Sequence, residues 1–350
     1  MDNIIVTGSG GLIGSAVCNF FSRKGYCIHG VDNDMRKRFF GKEASVIGNI
    51  EYLLSTIDNY HHNTIDIRNQ AQITDLYREV KPCLTIHCAA QPSHDLAAQI
   101  PIDDFTTNAN GTLNLLEGAR NFVKDSPFVY LSTNKVYGDN PNRLEIVETE
   151  KRWEFSKPLF RNGINESMSI DHCTHSLFGV SKTSADLLVQ EYGKYFSMPT
   201  VCLRGGCLTG EGHKGIELHG FLSYLTKVNV LKKHYKIFGY KGKQVRDNIH
   251  STDVASFIFE YFKNPRIGEV YNIGGGYGNS ISILEAIDKI EQISSLKQSF
   301  EILDEARVGD HICYYSDLSK AMGHYKNWEV EIKIESILER MIEQWRKKIR

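Results

Sequence analysis

The chain has 350 residues, 41% of them apolar, which is enough to bury one large core or two closely joined ones. Its 41 Lys and Arg stand against 42 Asp and Glu, so no net field attracts nucleic acid, and basic runs such as Arg36-Lys37-Arg38 are short. The eight cysteines form neither C-x-x-C pairs nor spaced Cys/His sets, which argues against zinc and iron–sulfur sites, so no metal is expected.

The chain opens almost at once on a strand, without a basic stretch and apolar segment ahead of it. No run of about 18 apolar residues follows. Reduced thiols, no membrane association and a cytoplasmic location are the expectations.

Over the first two hundred residues short apolar runs alternate with helical patterns, the mark of a parallel sheet with helices crossing its faces. Strands are expected at Asn3–Thr7, Cys27–Asp32, Asn63–Asp66, Leu84–Cys88, Phe128–Ser132 and Thr200–Arg204. Helices are expected at Leu12–Lys24, Ile73–Val80, Asp103–Phe122 and Ser176–Phe196. The fold class is α/β, a doubly wound parallel sheet. The polar, aperiodic stretch from Gly138 to Thr174 reads as a long excursion over the active-site face. Past about Gly205 a Gly-rich mixture closes with Ile334, Leu338, Met341, Ile342, Trp345 and Ile349 at helical spacing. The division implied is residues 1–205 for cofactor binding, with a return segment near 240–262, and a smaller α/β substrate domain over 206–350.

Between the first strand and first helix lies Thr7-Gly8-Ser9-Gly10-Gly11-Leu12-Ile13-Gly14. Glycines there allow a tight turn and close approach of a pyrophosphate to backbone N–H groups. Gly8, Gly11 and Gly14 are spaced G-x-x-G-x-x-G, although a glycine-rich turn is often only a turn. The second strand ends at Asp32, followed by Asn33, roughly 20 residues downstream, where a carboxylate accepts hydrogen bonds from an adenosine ribose and repels a 2′-phosphate. Together these point to NAD. Arg36 and Lys37 keep NADP open, and a loop or cap role also explains Asp32. Asp66-Ile67, at the end of the third strand, is placed to reach an adenine amino group.

Further marks follow in order: His87-Cys88-Ala89-Ala90, Asn108 with Gly111-Thr112, Ser132-Thr133-Asn134-Lys135-Val136-Tyr137-Gly138, Gly179-Val180-Ser181-Lys182, Arg246-Asp247-Asn248-Ile249-His250 with Asp253, Asn272-Ile273-Gly274-Gly275 and Arg307-Val308-Gly309-Asp310. The series resembles the extended short-chain dehydrogenase/reductases, a family of NAD-dependent nucleotide-sugar epimerases and dehydratases, over nearly the whole chain. Within that family, residues 133–139, Asn165-Glu166-Ser167 and Gly242–Asp247 look most like the CDP-paratose 2-epimerase (CDP-tyvelose epimerase) branch. The resemblance implies a Rossmann-type sheet and further NAD contacts from Ala89, Ala90, Gln91, Asn108, Ser132 and Lys182. It also implies a nucleotide-sugar substrate.

Epimerases of this kind oxidise a ring carbinol by hydride transfer, let the ketone turn or invert, and return the hydride to the opposite face. A base must take the hydroxyl proton and a donor must polarise the developing carbonyl. Thr133 stands at the family's Ser/Thr position, with a capping role as its plain alternative. Lys182 stands at the family's lysine position, where it binds the nicotinamide ribose and lowers a neighbouring phenol's pKa; as a lone lysine it would be a solvated surface residue. Phe178 occupies the place of the family's catalytic tyrosine, four residues before Lys182, and a phenyl ring transfers no proton. Either another group has taken the role, or the chemistry has changed, or the chain binds cofactor without turnover. Candidates for the role are Tyr137, Glu166, His175 and Lys182 itself. Glu166 and His175 rank ahead: burial beside a sugar can raise a glutamate's pKa, and a histidine titrates near neutrality. A solvent-exposed loop histidine explains His175 equally well.

On the substrate side the resemblance assigns Arg246 and Arg307 to a diphosphate, which planar guanidinium groups suit. An ion pair with Asp247 or Asp310 is the structural alternative. Arg204 is grouped with them. Ser93 and His94, after the fourth strand, are placed to read sugar hydroxyls, or to form a turn and cap. Asn134 and Lys135 stand beside Thr133 where the family's 4,6-dehydratases carry an acidic pair, which disfavours dehydration.

The leading reading is a CDP-sugar 2-epimerase with tightly held NAD. A nucleotide-sugar reductase or dehydrogenase with exchangeable NAD(P), or a catalytically silent NAD-binding regulator, are the alternatives. Helices Asp103–Phe122 and Ser176–Phe196 carry apolar residues on more than one face, as Leu187, Leu188, Val189, Tyr192, Tyr195 and Phe196 show. By resemblance these helices would form a four-helix bundle in a homodimer.

Overall fold

The computed structural model describes residues 1–213, 215, 220–306 and 309–349. Seven strands form one parallel sheet: β1 (Asn3–Thr7), β2 (Cys27–Val31), β3 (Tyr60–Asn63), β4 (Leu84–His87), β5 (Phe128–Thr133), β6 (Thr200–Gly205) and β7 (Glu269–Ile273). Their order is β7-β6-β5-β4-β1-β2-β3. Runs such as Ile4-Ile5-Val6 suit it because both faces are covered, and all three residues are fully buried. On one face Val17 and Phe21 of helix Leu12–Arg23 pack with Phe257, Ile258 and Tyr261 of helix Ser251–Lys263. The other face carries Ile73 and Tyr77, Leu115 and Leu116, and Ala185 and Val189, from three helices. This is the Rossmann-type α/β fold expected. Strand order reverses between β1 and β4, which opens a crevice at the strands' carboxyl ends.

Four expectations shift. The third strand is Tyr60–Asn63 rather than 63–66, because Tyr60 to Asn63 pair with Ile28 to Val31, so Asp66 lies beyond the sheet edge. The helix expected over 103–122 contains a π-helical turn at Thr106–Asn110. A seventh strand, β7, enters from the C-terminal half after helix Ser251–Lys263 and pairs with β6. The polar excursion does not cover the site. It forms a hairpin, Ile146–Glu148 with Trp153–Phe155, and packs Tyr137, Phe155 and Ile164 against Tyr314 and Tyr315.

In the C-terminal part, Val245–His250 is the central strand of a small sheet. It pairs with Ser280–Ser282, Cys313–Tyr314 and Cys207–Thr209. A separate core joins Leu222, Leu225, Ile287, Ile290, Leu338 and Met341. Among the described residues no helix is long and apolar enough to cross a membrane, and no cluster of three metal-ligating side chains occurs.

Candidate active site

A cavity of about 500 Å³ runs along the carboxyl ends of the strands. One end is built on the first turn. Gly8 sits at φ +66°, and a Cβ on Gly14 would lie 2.0 Å from the Gly8 carbonyl oxygen, so the turn closes only with glycine there. Gly11 opens helix Leu12–Arg23 without a side-chain cap, which leaves N–H groups for an anion. Asp32 accepts from the Gly10 and Asp34 N–H groups at 3.0 and 2.8 Å. Burial pushes its carboxyl up despite those bonds. Gly8, Gly11, Leu12, Ile13, Gly14, Asp32 and Asn33 all line the cavity. So do Asp66 and Ile67, but Arg68 holds the Asp66 carboxylate at 2.6 to 3.1 Å, so it does not stand free for an adenine. Ala89, Ala90 and Ser132 line the middle. A glycine cradle, an open helix N-terminus and an acidic strand end fit a dinucleotide.

Beyond them the cavity meets Thr133, Asn134, Lys135, Phe178 and Lys182. Thr133 ends β5, and its Oγ1 accepts from the Lys135 N–H at 3.2 Å. Phe178 and Lys182 come from one face of helix Ser176–Phe196, one turn apart, 7% and 4% exposed. Lys182 Nζ donates to the Leu131 carbonyl at 2.7 Å and lies 4.2 Å from the centre of the Tyr130 ring. Burial lowers its pKa to about 8, with Asp186 opposing. Arg246 is held by Asp310 at 2.6 Å, and Lys135 Nζ reaches the same carboxylate at 3.3 Å. His94 lines the cavity next to Gly309.

Several residues singled out in the sequence are not brought to the cavity. Glu166 Oε1 accepts from the Asn272 N–H at 2.7 Å, behind β7. Tyr137 is fully buried and donates to Asn272 Oδ1 at 2.7 Å. His175 Nε2 bonds the Ile170 carbonyl at 2.8 Å, turned toward the excursion. These bonds all go to the scaffold, and none of the three side chains lines the cavity. Arg204 turns back to Asp186, Ser93 caps helix His94–Ala97, and Gln91 and Asn108 bond each other and Asp104. Arg307 lies outside the described residues.

Another part of the cavity lining lies, Gln244 apart, outside the motifs singled out in the sequence. Phe221, Leu222 and Tyr224 meet Tyr235–Phe238 and Gln244 there. No element was expected over 235–238, where the structure has a strand, Tyr235–Phe238.

The model of the NAD dependent epimerase/dehydratase family matches residues 4–274. The chain belongs to that family. It is 32% identical over 325 residues to the CDP-paratose 2-epimerase of Salmonella typhi, covering 91% of each chain. It is 28% identical to dTDP-glucose 4,6-dehydratase 1 of Escherichia coli K12, covering 97% of this chain and 91% of the other. Among solved structures, a UDP-glucuronic acid 4-epimerase variant from Bacillus cereus, in complex with a fluorinated UDP-sugar and NAD, aligns with a TM-score of 0.80 and 26% identity over 99% of both chains. As a member of the family the chain is an NAD-dependent nucleotide-sugar enzyme.

Proposed function

We propose that the chain is a nucleotide-sugar epimerase, a CDP-sugar 2-epimerase, that keeps its NAD through turnover. One observation carries the reading: a single cavity is lined by the glycine turn, Thr133, Arg246 and the aromatic residues Phe221, Tyr224, Tyr235 and Phe238. NAD supplies the hydride acceptor and donor. Gly8, Gly11, Gly14 and Asp32 would hold it, and Lys182 would face its nicotinamide ribose. Thr133 would bond the reacting oxygen and Arg246 the diphosphate. Asn134 and Lys135 provide no acidic pair to expel water, which favours epimerisation over dehydration. The exposed apolar residues Leu113 on helix Gly111–Phe122 and Leu177, Val180, Leu187 and Tyr195 on helix Ser176–Phe196 support a homodimer.

The test is incubation of purified protein with CDP-, UDP- and dTDP-sugars in heavy water, reading product stereochemistry and carbon-bound deuterium. Inverted product without deuterium, with NAD released only on denaturation, supports the reading. Net oxidation or reduction of added cofactor sinks it in favour of a reductase. Stable NAD binding without any conversion points instead to a silent binder, as Phe178 would allow.

A further inference from the structure

The phenyl ring of Phe178 leaves the reacting end of the cavity without a phenol, so a proton must move through another group that lines it. Asp310 is unsuited: although burial opposes it, Arg246 and Lys135 hold its carboxyl well below the usual range. Burial pushes the Cys207 thiol up to about 12, which keeps it protonated. Lys182 donates to the Leu131 carbonyl and lies over the Tyr130 ring, and its proposed part is to hold the nicotinamide ribose.

Lys135 differs. It leaves the same turn as Thr133, its N–H bonded to the Thr133 hydroxyl, and its side chain is 18% exposed. Its Nζ donates to the Gly309 carbonyl at 3.0 Å and to Asp310 Oδ1 at 3.3 Å. Arg246 occupies that same oxygen at 2.6 Å, with a side chain 10% exposed. One carboxylate thus faces two cations, and loss of the Lys135 proton relieves the excess charge. Asp310 and His311 face Lys135 from one loop, Arg246 from strand Val245–His250 and Cys207 from strand Cys207–Thr209, with His94 across Gly309. Burial lowers the ammonium's pKa, Asp310 opposes and Arg246 adds to the lowering.

We propose that Lys135 is the catalytic proton acceptor and donor of this site, in place of the tyrosine that Phe178 replaces; this rests on the epimerase reading. With NAD bound to supply the hydride acceptor and donor, the neutral amine would take the carbinol O–H proton and become an ammonium as the carbinol is oxidised to a ketone. On reduction of the ketone at its opposite face, the ammonium would give the proton back to oxygen. Atoms and electrons balance over the cycle.

Two measurements test it. Competitive trace acetylation of the substrate-free holoenzyme across pH, read by mass spectrometry, should show Lys135 titrating at least about one unit below the ordinary lysine value of ~10.4. An ordinary titration overturns the proposal. Lys135→Met, or Lys135→Gln where the first fails to fold, should retain NAD and bind CDP within about fivefold of wild type, while turnover falls at least about 100-fold. Adding Phe178→Tyr should restore turnover at least about tenfold. Turnover of the single variant near wild type, failure of a folded double variant to recover, or loss of the acidic limb of the pH profile in His94→Gln but not in Lys135→Met each overturns it. Should wild type convert no nucleotide sugar, the epimerase reading fails instead. The acetylation profile then decides the Lys135 amine by itself.

Discussion

Arg204 and Asp186 are joined between β6 and helix Ser176–Phe196 by hydrogen bonds of 2.8 and 3.2 Å, their side chains 5% and 1% exposed. Removing one partner of such a pair strands a buried charge at a cost of about 3–5 kcal/mol. Arg204→Met is expected to lower the unfolding free energy by that amount in urea titrations. The fraction that remains folded should keep its affinity for a nucleoside diphosphate, because Arg204 does not face the cavity.

Gly14→Ala places a methyl group 2.0 Å from the Gly8 carbonyl oxygen, so the turn between β1 and its helix must move. Retained NAD in purified protein should fall at least about tenfold, equivalent to ~1.4 kcal/mol or more. Extraction after acid denaturation measures it, and wild-type content would contradict the role given to this turn.

His87 is buried between Thr7 at 2.7 Å and Thr112 at 2.9 Å, and burial lowers its pKa to about 3, with Lys182 adding to the effect. The unfolded chain therefore binds a proton that the fold refuses between about pH 6.5 and 3, so stability is present above the unfolded value and is lost as pH falls. His87→Gln should reduce the slope of stability against pH in this window by up to about 1.4 kcal/mol per unit. Urea midpoints taken from pH 7 to 4 read that slope.

Glu166 shows the opposite sign. Burial raises its carboxyl, although the Asn272 N–H works against the rise. The fold then holds the proton more tightly than the unfolded chain, and stability declines as pH rises through the folded value. Glu166→Gln keeps an oxygen for the Asn272 N–H and removes the charge. It should leave turnover within about threefold of wild type and stability at pH 8 equal or higher. A large loss of turnover at normal stability would return Glu166 to the proton-transfer role.

Leu113 and Leu187 are 36% and 48% exposed on the two outer helices. Replacing both with Glu should shift the proposed dimer to monomer in sedimentation velocity at micromolar concentration, since charges in an apolar helix interface are uncompensated. A wild-type monomer would remove the proposal.

The glycine turn and the acidic strand end were legible in the sequence. The Gly8–Gly14 spacing and Asp32 depend on local geometry, namely a strand, a turn and a helix start, and backbone sterics within a few residues write that geometry. Helix Ser176–Phe196 was likewise visible in full, and with it the one-turn separation of Phe178 from Lys182. The last strand of the sheet was not, because β7 is recruited from the far side of helix Ser251–Lys263 by pairing with β6. A five-residue edge segment carries little signal of its own.

The sequence by itself determined the α/β class, the glycine turn after the first strand and the absence of a phenol at position 178, since each follows from residue identity at short spacing. Only the tertiary structure decided which polar groups meet the cavity. Glu166, His175, Tyr137 and Arg204 satisfy their hydrogen bonds on the scaffold, while Lys135, Arg246 and Asp310 converge from segments more than sixty residues apart to share one carboxylate. Long-range packing sets that convergence, and no local pattern records it.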